Sequence, residues 1–185
     1  YGDHTVFEDF SAVFQKGQTT CMMAPSGAGK TTLLRILAGL EKADSGQIEG
    51  LEGLRISMVF QEDRLCENLS ASANIRLVRG KKPWGRDKKL EAKISKAMAA
   101  VGLGGCEDQP VREFSGGMRQ RTALLRALYS EWDVLFLDEP FKGLDEETKE
   151  LVIEYTKKQC FGKTVIFVTH DRSEAGKMGG RLFKM

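Results

Sequence analysis

A chain of 185 residues with 41% hydrophobic and 29% charged content has the balance of one soluble globular domain with room for a sizeable core. Its net charge of +2 is too small to argue for a nucleic-acid or acidic-membrane surface, and no run of about eighteen apolar residues is present to span a bilayer. Four cysteines, Cys21, Cys66, Cys106 and Cys160, lack C-x-x-C spacing, which argues against a zinc site or a disulfide framework and fits a reducing cytosol.

The sequence opens on Tyr1 without a charged-then-apolar leader, so the expectation is a piece of a longer chain with no targeting peptide. Phe7, Phe10, Val13 and Phe14 precede the turn "QKGQ", after which "TTCMMA" is an apolar run of strand length. A glycine-rich loop follows directly, then a helix over "KTTLLRILAGL" with Leu33, Leu34 and Leu37 on one face and Gly39 as its stop. The glycine-punctuated stretch "ADSGQIEGLEGLRISMVFQ" predicts short antiparallel strands ending in "ISMVF".

From about residue 63 the chain turns polar and helical, broken by Pro83 and several glycines, which reads as a helical lobe. Its basic segment around Trp84 interleaves acidic residues and carries one aromatic, so a solvated helix face explains it better than nucleic-acid contact. The last third predicts a helix from Gly116 to Tyr129, the strand "VLFLDE", a helix near "DEETKELVIEYTKKQ" and the strand "TVIFVTH". Continuous apolar strands separated by helices predict an α/β fold with a parallel sheet covered on both faces.

Residues 24–32, "APSGAGKTT", lie one substitution from the phosphate-loop pattern G-x-x-x-x-G-K-[ST], with Ala24 at the first glycine. Such a loop holds phosphate because consecutive backbone N–H groups converge at a helix start, where the dipole also favours negative charge. Ser26, Gly27, Ala28, Gly29 and Thr32 form that cradle, Lys30 would reach the terminal phosphates, and the Thr31 hydroxyl would hold magnesium. The bland alternative is a glycine-rich turn without a ligand.

Asp138 and Glu139 end a strand, at the edge where open parallel sheets bind ligands. Asp138 could steady magnesium while Glu139 orients or deprotonates a water. An apolar strand ending in Asp-Glu is also a common plain terminus. His170 and Gln61 end strands as well; the first could touch a terminal phosphate, the second could coordinate magnesium or position water, and either could be structural.

"FSGGMRQR" at 114–121 completes a set of motifs that resembles an ATP-binding cassette ATPase over essentially the whole chain. The set is a phosphate loop at 24–32, Gln61, the signature at 114–118, the Asp-Glu strand at 134–139, "KGLD" at 142–145 and His170. Three positions depart from the family pattern: Ala24 for glycine, Phe114 for leucine and Met118 for glutamine. The tract between the loop helix and Gln61 is also short for the family.

The resemblance implies a P-loop core with a mostly parallel sheet, a small antiparallel lobe and a helical lobe at about 63–125, in one nucleotide-binding domain over 1–185 whose opening strand lies upstream. It implies ATP and Mg2+ as cofactors, with Tyr1 stacking on adenine. Ser115, Gly116 and Gly117 of one chain would cap the γ-phosphate bound by Lys30 of a second copy, head to tail, while Asp145 crosses the seam. "MVFQEDRL" and "DEPFKGLD" are similar to ATPases of bacterial importers for nitrate, sulfonate, taurine or thiamine-like solutes. Separate permease subunits at the cytoplasmic face of the membrane and an extracytoplasmic solute-binding protein would be the partners, with no direct nucleic acid. The alternative within the resemblance is a soluble cassette acting on ribosomes or DNA. Against it stand the single compact cassette and the lack of a long coiled coil.

Overall fold

A computed structural model of the chain describes residues 5–25, 27–79 and 87–184. Its elements are β1 (Thr19–Met23), α1 (Lys30–Leu37), β2 (Ile56–Val59), α2 (Ala71–Arg76), α3 (Lys88–Ala100), α4 (Gly116–Tyr129), β3 (Val134–Asp138), α5 (Glu146–Cys160), β4 (Thr164–Val168), α6 (Arg172–Met178) and β5 (Arg181–Lys184). All strands run parallel in one sheet, in the order β2-β3-β4-β1-β5.

Strand alternation sorts the core into two layers. Val134 and Phe136 of β3 join Met22, Ile166 and Val168 on the face covered by Leu33 and Leu34 of α1. Leu135 and Leu137 join Cys21, Val165 and Phe167 on the opposite face, under α4 and α5. Every residue of β3 is buried, which is why its sequence reads as continuous apolar rather than alternating.

The expected antiparallel lobe is a correction. Among the described residues no strand forms between α1 and β2, and β2 itself pairs parallel with β3. Gly46, Gly50 and Gly53 take φ of 101°, 80° and 72°, so the chain turns at each and cannot hold an extended run between them. Phe7, Phe10 and Phe14 pack against the α1 side of the sheet as an irregular segment. The Phe10 and Phe14 rings lie 6.2 and 6.0 Å from Phe183 of β5. α6 and β5 are additions that the sequence reading did not predict.

Gly39 does stop α1. Its φ is 70°, its N–H donates to the Ile36 carbonyl, and the Leu40 N–H reaches back to Arg35, the double bond pattern that closes a helix through a left-handed residue.

α2, α3 and α4 pack together beside the sheet, and a buried amide on α2 anchors the loop before it. Asn74 of α2 is fully buried; its Oδ1 accepts from the Cys66 N–H at 2.8 Å, and its Nδ2 donates to the carbonyls of Cys66 and Ser70, each at 3.1 Å. It thereby ties residues 66–70 to the helix that follows them. Asn74→Ala is expected to cost about 2–3 kcal/mol, because buried backbone groups lose their partners. The shift in urea midpoint measures it.

α4 holds the chain after β2. Arg119 grips Asp63 through two nitrogens, at 2.8 and 3.1 Å, and Glu67 at 3.2 Å. Arg126 donates to the carbonyls of Arg64 and Asp63. Arg119 and Arg126 of "GMRQRTALLR" thus fix the segment that begins at Gln61.

Candidate functional site

The sheet register aligns the strand ends. Met22 of β1 and Asp138 of β3 both pair with Val168 of β4, so the loops leaving these strands emerge along one edge. That edge carries the phosphate loop after β1, Gln61 after β2, Glu139 after β3 and His170 after β4. Ligands bind at this edge in parallel sheets because strand carboxyl ends and helix N-termini meet there.

Gly27 and Gly29 take left-handed φ of 82° and 81°. At Gly29 a Cβ would lie 2.5 Å from the Val6 Cγ1 and 2.6 Å from the Phe7 ring, so only glycine fits. Gly29 caps α1 with no side-chain bond, whereas Ser70, Asp87, Ser115, Asp145 and Asp171 cap the other helices with their side chains. The first-turn N–H groups, those of Thr31 and Thr32 included, are therefore free of a capping side chain and suited to an outside acceptor. Ala24 is not among the residues at positive φ, so no glycine is required there. The buried Lys30 ammonium donates to the carbonyls of Ala24 and Pro25, both at 2.8 Å, and the Ala28 N–H donates to Pro25.

The Thr31 hydroxyl donates to Asp138 Oδ2 at 2.7 Å, joining the loop to β3. Asp138 is 2% exposed; burial raises its carboxyl pKa, opposed by the Thr31 hydroxyl, and the charge on Glu139 adds to the rise. Thr31, Gln61 and Asp138 line one small crevice of about 50 Å³. Among the described residues no group of three or more His, Cys, Asp or Glu side chains is placed to hold a metal. One carboxylate beside a hydroxyl and an amide oxygen suits magnesium, which keeps waters and shares its shell with phosphate oxygens.

Glu139 adopts φ of 47°, an uncommon conformation for a non-glycine residue, and its N–H donates to the Val168 carbonyl at 3.0 Å. His170 Nδ1 lies 3.3 Å from Oε1, while the buried Oε2 makes no hydrogen bond and has the Lys142 ammonium 3.2 Å away as its ion partner. Burial alone would raise its pKa, but Lys142 and then His170 draw it below the ordinary value, so the carboxylate stays charged. Gln120 of α4 donates to the carbonyls of Glu139 and Pro140, at 3.4 and 3.3 Å, from the other side. The sequence reading missed Lys142 and Gln120. Lys142 lies three residues from Glu139 and was legible as a charge partner; Gln120 has no local signal.

Ser115 caps α4 through the Met118 N–H and is exposed, as is Gly116. Gly117 lies near Leu144, where a Cβ would come within 3.2 Å of its Cδ2. Gly116 and Gly117 border a second, open cavity of about 660 Å³ together with Gln61, Asp63, Arg119 and Lys142. Asp145 caps α5, accepting from the Thr148 N–H at 2.9 Å.

The sequence profile described as "ABC transporter" matches residues 7–142. The chain belongs to the ABC transporter family. A sulfate/thiosulfate import ATP-binding protein of Xanthomonas campestris is 36% identical over 197 residues, covering 98% of this chain and 57% of that protein. An aliphatic sulfonates import ATP-binding protein of Pseudomonas syringae is 36% identical over 189 residues, covering 100% of this chain and 78% of that protein. A solved ATP-binding cassette dimer, in a post-hydrolysis state with ADP and Pi, superposes with a TM-score of 0.83 at 26% identity, covering 97% of this chain and 86% of that one. The chain spans a little over half the length of the first curated relatives it matches, 57% of the Xanthomonas protein.

Within this ABC cassette, the structure brings Lys30, Thr31, Asp138, Glu139, Gln61 and His170 to one sheet edge. It places Ser115, Gly116 and Gly117 at a helix start outside the crevice lined by Thr31, Gln61 and Asp138. Two expected contacts, Tyr1 with adenine and Ser26 with phosphate, lie outside the described residues. No described helix is long and apolar enough to cross a membrane.

Proposed function

We propose that the chain is the ATP-binding and hydrolysing subunit of a solute importer, one nucleotide-binding domain with a helical lobe at about 63–125. The observation that carries the chemistry is the Thr31–Asp138 bond of 2.7 Å beneath a left-handed glycine loop, beside a Glu139 carboxylate held charged. Import is supported by the similarity to sulfate/thiosulfate and sulfonate import ATP-binding proteins.

In this reading Lys30 and the first-turn N–H groups of α1 bind the terminal phosphates. Thr31, Gln61 and Asp138 would hold magnesium, which would neutralise charge on the phosphates. Glu139 accepts the proton of a water whose oxygen bonds to the γ-phosphorus as the bond to the ADP oxygen breaks. His170 braces Glu139 and contacts the transferring group.

The exposed Ser115-Gly116-Gly117 turn is supplied to the site of a second copy, head to tail, and Asp145 lies on that seam. The dimeric form of the solved cassette supports the pairing of two copies. Separate permease subunits, served by an extracytoplasmic solute-binding protein, would place the chain at the cytoplasmic face of a membrane.

A mixing experiment tests the shared site. Lys30→Ala has an intact signature and a disabled loop, and Ser115→Arg has the reverse, so each alone is expected to be inactive. Mixed in equal amounts they form some dimers with one complete site, and about a quarter of wild-type phosphate release is expected if assembly is random and sites act independently. No recovery from two folded variants would sink the shared site.

A further inference from the structure

His170 is weakly anchored, with a side chain 68% exposed and, among the described residues, Glu139 at 3.3 Å as its side-chain partner. Its aim must therefore come from the backbone on either side of it. That backbone is tied to a buried acid which the proposed chemistry does not use.

Glu174 of α6 is 5% exposed and Thr169 is 1% exposed. The Thr169 hydroxyl donates to Glu174 Oε2, and the same hydroxyl oxygen accepts from the Asp171 N–H at 3.0 Å. One hydroxyl thus links the residue before His170 to the residue after it. On the sheet side, the Thr169 N–H donates to the Met22 carbonyl, and the preceding Val168 carbonyl accepts from the Glu139 N–H. Asp171 in turn caps α6 by accepting from the Ser173 N–H at 2.7 Å.

A carboxyl in such a place is costly to bury without partners. Among the described residues Lys149 of α5 pairs with it, its Nζ lying 3.8 Å from Glu174 Oε1, 3.7 Å from Asp171 and 2.9 Å from Glu146. The Lys149 N–H donates to the Asp145 carbonyl at 2.8 Å, so the same helix turn that begins at Asp145 supports the acid behind His170.

We infer that Glu174 and Thr169 are positioning residues for His170: the buried carboxyl, acting through the Thr169 hydroxyl, fixes the turn that aims the imidazole at Glu139. The inference rests on the reading of His170 as a contact of the transferring phosphate.

Thr169→Val removes the hydroxyl at nearly constant volume and is the principal test. It is expected to lower kcat roughly tenfold with KM for MgATP within about twofold, because misplacement of a contact used at the chemical step spares ground-state binding. Thr169→Ser keeps the hydroxyl and is expected to stay within about twofold of wild type. Combining Thr169→Val with Glu174→Ala should lower kcat no further than the worse single change, since both break one chain of contacts.

A second readout does not depend on turnover. The chain holds two histidines, His4 and His170, so the His170 ring signal can be assigned with a His4 variant. In Thr169→Val it is expected to lose its native position while Thr169→Ser retains it. Wild-type kcat and an unmoved ring signal in Thr169→Val, with His170→Ala inactive, would overturn the positioning role alone. Full turnover in His170→Ala would instead remove the reading of His170 beneath it.

Discussion

Glu139→Gln is expected to lower hydrolysis at saturating MgATP by roughly a hundredfold or more, the usual loss when a general base is removed. Glutamine keeps the length and an acceptor oxygen but has no basic carboxylate to take the water proton. Lys142 and His170 hold the native group charged, at 3.2 and 3.3 Å, so what the substitution removes is a base already in its reactive form. Nucleotide affinity is expected to stay within a few-fold, because Lys30 and the α1 N-terminus are untouched. Steady-state phosphate release set beside equilibrium nucleotide binding separates the two effects. Turnover retained at near wild-type rate would move the proton acceptor elsewhere on the sheet edge.

Lys30→Ala is expected to weaken MgATP binding by on the order of a hundredfold, the loss of charge-assisted bonds worth about 1.5–3 kcal/mol each. The ammonium already lies within the loop, 2.8 Å from the carbonyls of both Ala24 and Pro25, where it can turn to phosphate oxygens without moving the helix. Arginine should not restore binding, since its planar fork does not replace a compact point charge in a narrow cradle. Titration by calorimetry reads the change directly. Unchanged affinity would mean that the loop does not hold the phosphates, whatever its glycines.

Both variants act at positions that could be read from sequence, and the reason is local. The loop glycines, Lys30 and Thr31 occupy consecutive positions at a strand-to-helix turn, and Asp138-Glu139 end a run of buried apolar residues. α4 spans Gly116–Tyr129, the range the sequence predicts. Ala24 was harder to judge, because only the backbone angle shows that glycine is unnecessary there.

What escaped the sequence depends on contacts between distant residues or on elements too short to signal. Gln120 reaches the Glu139 carbonyl from α4, 19 residues away, and Thr31 bonds Asp138, 107 positions later. Glu174 lies in α6, a helix the sequence did not predict, and its burial beside Thr169 and Lys149 shows only in the structure. β5 has four residues, is mostly exposed and carries Arg181 and Lys184, so neither length nor apolarity marked it. The antiparallel lobe failed for a different reason: the glycines of the tract read as turns between short strands, but at positive φ Gly46, Gly50 and Gly53 leave no extended run between them.

In the proposed dimer ATP binds between two copies of this chain, with Lys30 from one and Ser115 from the other. Light scattering of Glu139→Gln with and without MgATP tests it most directly, because blocked hydrolysis should hold the ATP-bound assembly together. Twice the monomer mass with MgATP, falling back to the monomer when Lys30→Ala is added to the same chain, is the predicted result. A variant that binds MgATP and remains a monomer would contradict it.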